Sequence, residues 1–196
     1  LPDLAASLIN LGGRLSELGQ REEALEVTQE AVSTYHTLDA FHLEDLLPNL
    51  AASLNNLGFM LSALGHREEA LEITQEAVAL RRILSASRPE AFLPDLAASL
   101  NNLGWMLSEL GQREEALEVT QEAVALRRTL SASRPEAFLP DLAGSLTNLG
   151  LRLSELGRCE EALAASRESV GYYTLLMRTY PEAFLRYFVM SVQGLL

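Results

Sequence analysis

Asn10, Asn56, Asn102 and Asn148 recur in this chain at intervals of 46 residues. A primary amide offers N–H donors and a carbonyl acceptor, so it can bracket a peptide unit without reading the side chain attached to it. A row of such amides suits the holding of a backbone. Asn55 and Asn101 stand beside two of them, whereas the outer units carry Ile9 and Thr147 there. One turn further on are Phe59 and Trp105, where the outer units have Gly13 and Leu151. A large aromatic in a groove is a typical interface anchor. Both sets also have a structural reading, in which the amides bond to the neighbouring repeat and the rings fill space between repeats.

Bond-making chemistry is poorly represented. His36, His42 and His66 share no metal-ligand spacing. Glu68-Glu69, Glu114-Glu115 and Glu160-Glu161 recur with the unit, which marks them as solvated positions rather than paired acids. Cys159, the one cysteine, replaces Arg21, Arg67 and Arg113 and rules out a disulfide framework. All fifteen basic residues are arginine, so neither a phosphate-loop lysine nor a Schiff-base lysine is present. The expectation is a non-enzyme without cofactor or metal. A net charge of −12 gives no field for nucleic acid or anionic lipid. No apolar run approaches the roughly 20 residues that span a bilayer. Protein or peptide partners, neutral to basic, are therefore expected, in a reducing cytoplasmic setting.

The elements that must carry these residues follow from the period. "LPDL" or "LPNL" begins at residues 1, 47, 93 and 139, and residues 47–92 and 93–138 are identical at 40 of 46 positions. Leu96, Leu100, Leu103, Leu107 and Leu110 form an apolar stripe at helical spacing, and Gly111 follows as a C-terminal stop. A second helix from about Gln112 places Ala116, Leu117, Thr120, Ala123, Val124 and Leu130 inward. Glu114, Glu115, Glu118, Glu122, Arg127 and Arg128 are expected on its solvated face. In the connector, Ser133 and Glu136 have capping-box spacing, and Pro140 predicts a break between a short turn at 135–138 and the main helix. Such hairpins bury their apolar faces by stacking into an all-α, right-handed superhelical solenoid. The boundaries read as 1–46, 47–92, 93–138 and 139–184, four full repeats. Residues 185–196 then form a degenerate fifth first-helix or a C-terminal lid. In the lid reading Phe188, Val189, Val192, Leu195 and Leu196 pack around Val170 and Tyr173.

Leu100, Leu103, Gly104, Leu107, Gly111, Ala116 and Ala123 together closely resemble the tetratricopeptide repeat, and the same set recurs in the other units. Departures are leucine for the first-helix aromatic, threonine or serine for the second-helix aromatic, Ser169 for the last alanine, and the extra length. The longer unit resembles the repeats of kinesin light chain and the sensor arrays of NLR-like NTPase receptors. The resemblance implies a non-catalytic protein-interaction module, part of a larger receptor or scaffold, with the first helices lining a concave face. Asparagines at the matching place hold peptide backbone in several family members. Glu17, Glu109 and Glu155, with Ser16, Ser62, Ser108 and Ser154, make the far rim acidic. The alternatives are a self-assembling array associating end to end, through a face built on Leu4, Leu8, Leu11 and Leu15, and a small-molecule sensor.

Overall fold

The computed structural model describes residues 2–36 and 43–193, and each described element is a helix. In chain order they are α1 (Pro2–Glu17), α2 (Arg21–His36), α3 (Leu43–Ala63), α4 (Arg67–Ser87), α5 (Pro89–Glu109), α6 (Arg113–Ser133), α7 (Pro135–Glu155), α8 (Cys159–Thr179) and α9 (Pro181–Gln193). They fall into two compact units, Leu1–Met106 and Leu107–Leu196. Consecutive helices pack as hairpins within each.

Each hairpin turns on a glycine. Gly19, Gly65, Gly111 and Gly157 have φ of 80°, 91°, 78° and 72°, the left-handed region that a side chain resists. The Gly111 N–H donates to the Ser108 carbonyl and the Gln112 N–H to the Leu107 carbonyl, both at 2.9 Å. This paired closure is the Schellman motif, and it satisfies carbonyls that the helix end would otherwise orphan. The same two bonds recur at the other three turns.

Where the helices of a hairpin cross, one of them has no side chain. A Cβ on Gly58 would collide with the Thr74 hydroxyl and stand 3.3 Å from the Ala70 carbonyl oxygen. Gly12 meets Thr28 in the same way, and a Cβ on Gly150 would lie 2.7 Å from Ser166 Oγ. The threonine or serine that stands where the family usually has an aromatic is thus the side chain lying against each of these glycines. The predicted inner residues of α6, from Ala116 to Leu130, are all buried. In the second unit Leu142 and Leu146 pack on Val124, and Leu153 packs with Leu117, Ala162 and Ala165.

Three local expectations are corrected. Pro140 does not break the chain: α7 runs unbroken from Pro135 to Glu155, as α5 does through Pro94. The bond Pro140 cannot make belongs to the Glu136 carbonyl, in an exposed first turn that water can reach. Burial of Leu142, Ala143 and Leu146 just beyond repays that loss. The capping box does not form either. Ser133 Oγ donates back to the Leu130 carbonyl at 2.8 Å, and Arg134 is the N-cap, with no side-chain cap bond. Its guanidinium instead sits 5.0 Å from the centre of the Phe138 ring. Because α5, α7 and α9 begin at these prolines, the boundaries at 92/93, 138/139 and 184/185 fall inside helices, as does 46/47 in α3.

Arg127 is the third correction, being buried rather than solvated, while Arg128 is exposed and paired with Glu168 at 2.7 Å. Arg127 belongs to a series at one repeat position, Tyr35, Arg81, Arg127 and Tyr173, all buried. Each faces the next first helix. Arg81 Nη1 donates to the Asp95 carbonyl at 2.6 Å and to Ser99 Oγ at 2.7 Å. Arg127 Nη1 pairs with Asp141 Oδ2 at 2.6 Å. Asn49 lies beside the Tyr35 hydroxyl. Tyr173 stacks on Tyr187 with centroids 6.0 Å apart and planes 13° from parallel. Burial drives the Arg81 pKa down, offset in part by the Asp95 charge. Burial first, then the charges of Tyr187 and Asp141, pushes the Tyr173 phenol up to about 12.

The C-terminal segment begins like a first helix, with Pro181-Glu-Ala-Phe184 matching the start of α7. Its contact with Tyr173 is made by Phe184 and Tyr187, earlier in the helix than the lid reading expected. Phe188 and Val192 are half-buried and Val189 is exposed. Leu1, His42, Leu195 and Leu196 lie outside the described residues.

Two predictions follow from this packing. Gly58→Leu overpacks the crossing and lowers stability by about 1–3 kcal/mol. Gly171→Ala, where a Cβ meets nothing within 4 Å, raises it by up to about 1 kcal/mol through helix propensity. Urea titration measures both, and equal effects at the two positions would refute the assigned crossing. At the Arg127 junction, Arg127→Met costs about 1–2 kcal/mol, tempered because the Asp141 side chain is 48% exposed. Asp141→Asn then adds no further loss in the Arg127→Met background. Simple additivity of the two changes would show that the pair does not act as a unit.

Candidate functional site

The first helices bury one arc against their second helix and the flanking hairpin, and leave the opposite arc free. Asn10 and Asn56 lie on that free arc, are exposed, and carry no side-chain hydrogen bond among the described residues. Both line an open concavity of about 630 Å³ with Ile9, Gly13 and Arg14. The space exists because of Gly13: a Cβ there meets nothing within 4 Å, and the corresponding later residues are Phe59 and Trp105. Those two rings are 60% and 41% exposed, with Leu151 at the same repeat position also exposed. Asn148 is exposed on α7 in the second unit.

The asparagine doublet divides its work. Asn55 Oδ1 accepts from Ser99 Oγ at 3.0 Å and from Asn102 Nδ2 at 3.1 Å. Ser99 in turn accepts from Arg81. A polar chain thus ties α4 and α5 to α3, and Asn55 is a structural member of it. Asn102 is half-buried, with one amide hydrogen committed to Asn55. Asn101 is half-buried as well, with its Oδ1 fully buried. This network was missed in the sequence. Its signal was present, since Ser7, Ser53, Ser99 and Ser145 recur at the period, and Ser53, Ser99 and Ser145 are buried.

The rim is less acidic than its composition. Glu155 accepts from Ser108 Oγ at 2.7 Å and pairs with Arg152 Nη2 at 3.3 Å. Arg152 is buried, and burial lowers its pKa against the opposing pull of Glu155 and Glu109. Glu109 is exposed. His66 is the exposed N-cap residue of α4, and Cys159 is an exposed free thiol opening α8. Among the described residues no three His, Cys, Asp or Glu side chains gather to hold a metal. Among them, too, no helix is long and apolar enough to cross a membrane. What the surface offers is exposed amides beside exposed apolar side chains.

The chain resembles known proteins along most of its length. Two models described as tetratricopeptide repeat match, one over residues 49–129 and the other over 4–38 and 142–173. BtubC (BKLC) from P. vanneervenii superposes with a TM-score of 0.80 at 22% identity, covering 92% of this chain and 67% of that one. A kinesin light chain-like protein of nearly identical TPR-like repeats from Podosopora anserina gives 0.72 at 25% identity, covering 99% and 88%. No curated protein matches. With the glycine crossings, the Schellman turns and the matched segments in agreement, the chain belongs to the tetratricopeptide repeat family.

Proposed function

We propose that this chain is a non-catalytic module that holds an extended partner segment by its backbone, through the outward asparagines of its first helices. Asn10 and Asn56 are the best-placed donors and acceptors, and Asn102 and Asn148 occupy the same repeat position. Phe59 and Trp105 serve as apolar anchors beside them. The observation that carries this reading is the pair of free amides lining one open concavity. Tetratricopeptide domains generally serve protein interaction, and a surface of amides and rings suits a peptide better than a charged polymer. The partner is neutral to basic, in keeping with a chain of net charge −12. Within a larger receptor or scaffold such a module would supply recognition.

Peptides selected from a random displayed library against the intact chain provide the test. Asn10→Ala with Asn56→Ala should weaken the selected peptides by about 1–3 kcal/mol, the cost of leaving peptide groups unpaired. The melting temperature should not change, since neither amide bonds to another group among the described residues. Asn55→Ala should do the reverse, lowering stability by removing an acceptor shared by two donors. Unchanged affinity in the Asn10/Asn56 double variant would sink the proposal.

A further inference from the structure

We infer that the partner segment held by α3 and α5 is proline-rich and binds as a polyproline helix, an inference that rests on the backbone-holding reading above. α3 and α5 touch directly, since Asn55 of one bonds both Ser99 and Asn102 of the other. Helices in such contact have axes about 8–10 Å apart. Each presents the same pair at the same repeat position, an asparagine and then an exposed aromatic three residues on: exposed Asn56 with Phe59, and half-buried Asn102 with Trp105. A ligand that uses both pairs alike must therefore repeat its own chemistry about every 8–10 Å.

Ligand geometries differ on this point. A polyproline helix has three residues per turn at about 3.1 Å each, so the same face returns every ~9.3 Å. A β-strand returns the same face every two residues, about 6.6 Å, and falls out of step with the second pair. An α-helix returns it every ~5.4 Å and keeps its carbonyls bonded internally. The polyproline backbone makes no internal hydrogen bonds, so each turn offers a free carbonyl to an amide donor. Asn102 meets that need in its constrained state. One of its two amide hydrogens is spent on Asn55, and the other is left to donate. Proline has no N–H, so a donor is all the site must supply. The exposed faces of Phe59 and Trp105 then take the pyrrolidine rings, and the preformed helix loses little entropy on docking. Neither position of the pair bears a charge, which matches an uncharged ligand.

Trp105 is the only tryptophan, so its fluorescence reports on this surface directly. The intact chain is titrated with acetyl-nonaproline-amide and with a nine-residue acetylated, amidated Gly-Ser peptide. Nonaproline is expected to shift the Trp105 emission saturably, with the Gly-Ser peptide weaker by roughly tenfold or more for want of a preformed helix. Phe59→Ala and Asn56→Ala should each weaken nonaproline by roughly fivefold or more. Equal binding of both peptides, lost in Asn56→Ala, overturns the proline inference and leaves the backbone-holding function standing. Nonaproline binding that survives both substitutions overturns both readings. Absence of any saturable nonaproline response overturns the inference, while the library-selected peptides still decide the broader function.

Discussion

In the α1–α2, α3–α4 and α7–α8 hairpins the two helices come so close that one of them can carry no side chain at the crossing, and the rest of the arrangement of these first helices follows from that approach. Gly58 beneath Thr74, Gly12 beneath Thr28 and Gly150 beneath Ser166 fix which arc of each first helix is covered by its own partner. At about 100° per residue the other arcs are then determined. Leu54, Leu57 and Leu61 fall on the covered side and are buried. Asn56, Phe59 and Ala63 fall within a narrow arc on the far side and are exposed. The candidate binding surface is thus what remains of a first helix once the glycine has set its rotation.

Hairpins that are nearly identical raise a problem of neighbour choice, because one docks almost as well on a wrong copy as on the right one. The buried series Tyr35, Arg81, Arg127 and Tyr173 bears on it. The facing residues change in step, from Asn49 to Asp95, Asp141 and Tyr187. An arginine buried at a junction gains little net stability, because desolvation offsets much of the ion pairing. Left opposite asparagine or a phenol it would be costly. Such pairs therefore set the two arginine junctions apart from the tyrosine ones at either end more than they strengthen any one of them.

Much of this was legible in the sequence. The 46-residue period, two helices per unit, the glycine turns and the inner face of α6 follow from spacing alone. What was not legible depended on what lies across a junction. Periodicity puts Arg127 and Arg128 side by side at the edge of the polar arc. Only the neighbouring Asp141 and Glu168 decide that one is buried and the other stays at the surface. The local rule that proline breaks a helix fails at Pro140 because the burial of Leu142, Ala143 and Leu146 follows it. Ser133 and Glu136 had the spacing of a cap, yet the hydroxyl turned back to a helix carbonyl that was nearer.

The paired asparagines show why a sequence reading could place the site but not divide it. Adjacent helical residues point about 100° apart, so Asn55 turns toward the next first helix while Asn56 turns outward. The inward job is replaceable. In the last unit the corresponding residue is Thr147, whose hydroxyl lies 2.8 Å from that of Ser169, itself donating to the Ala143 carbonyl. Threonine and serine there make a local substitute for an amide that reached across repeats, and Ser169 is no longer an unexplained departure. The outward residue has no such substitute in any unit. It is asparagine four times over, in exposed positions at Asn10, Asn56 and Asn148, where packing sets no requirement. The inward residue thus changes with what lies across its junction, whereas the outward one stays asparagine whether it bonds to Asn55, as Asn102 does, or stands exposed, as Asn10, Asn56 and Asn148 do.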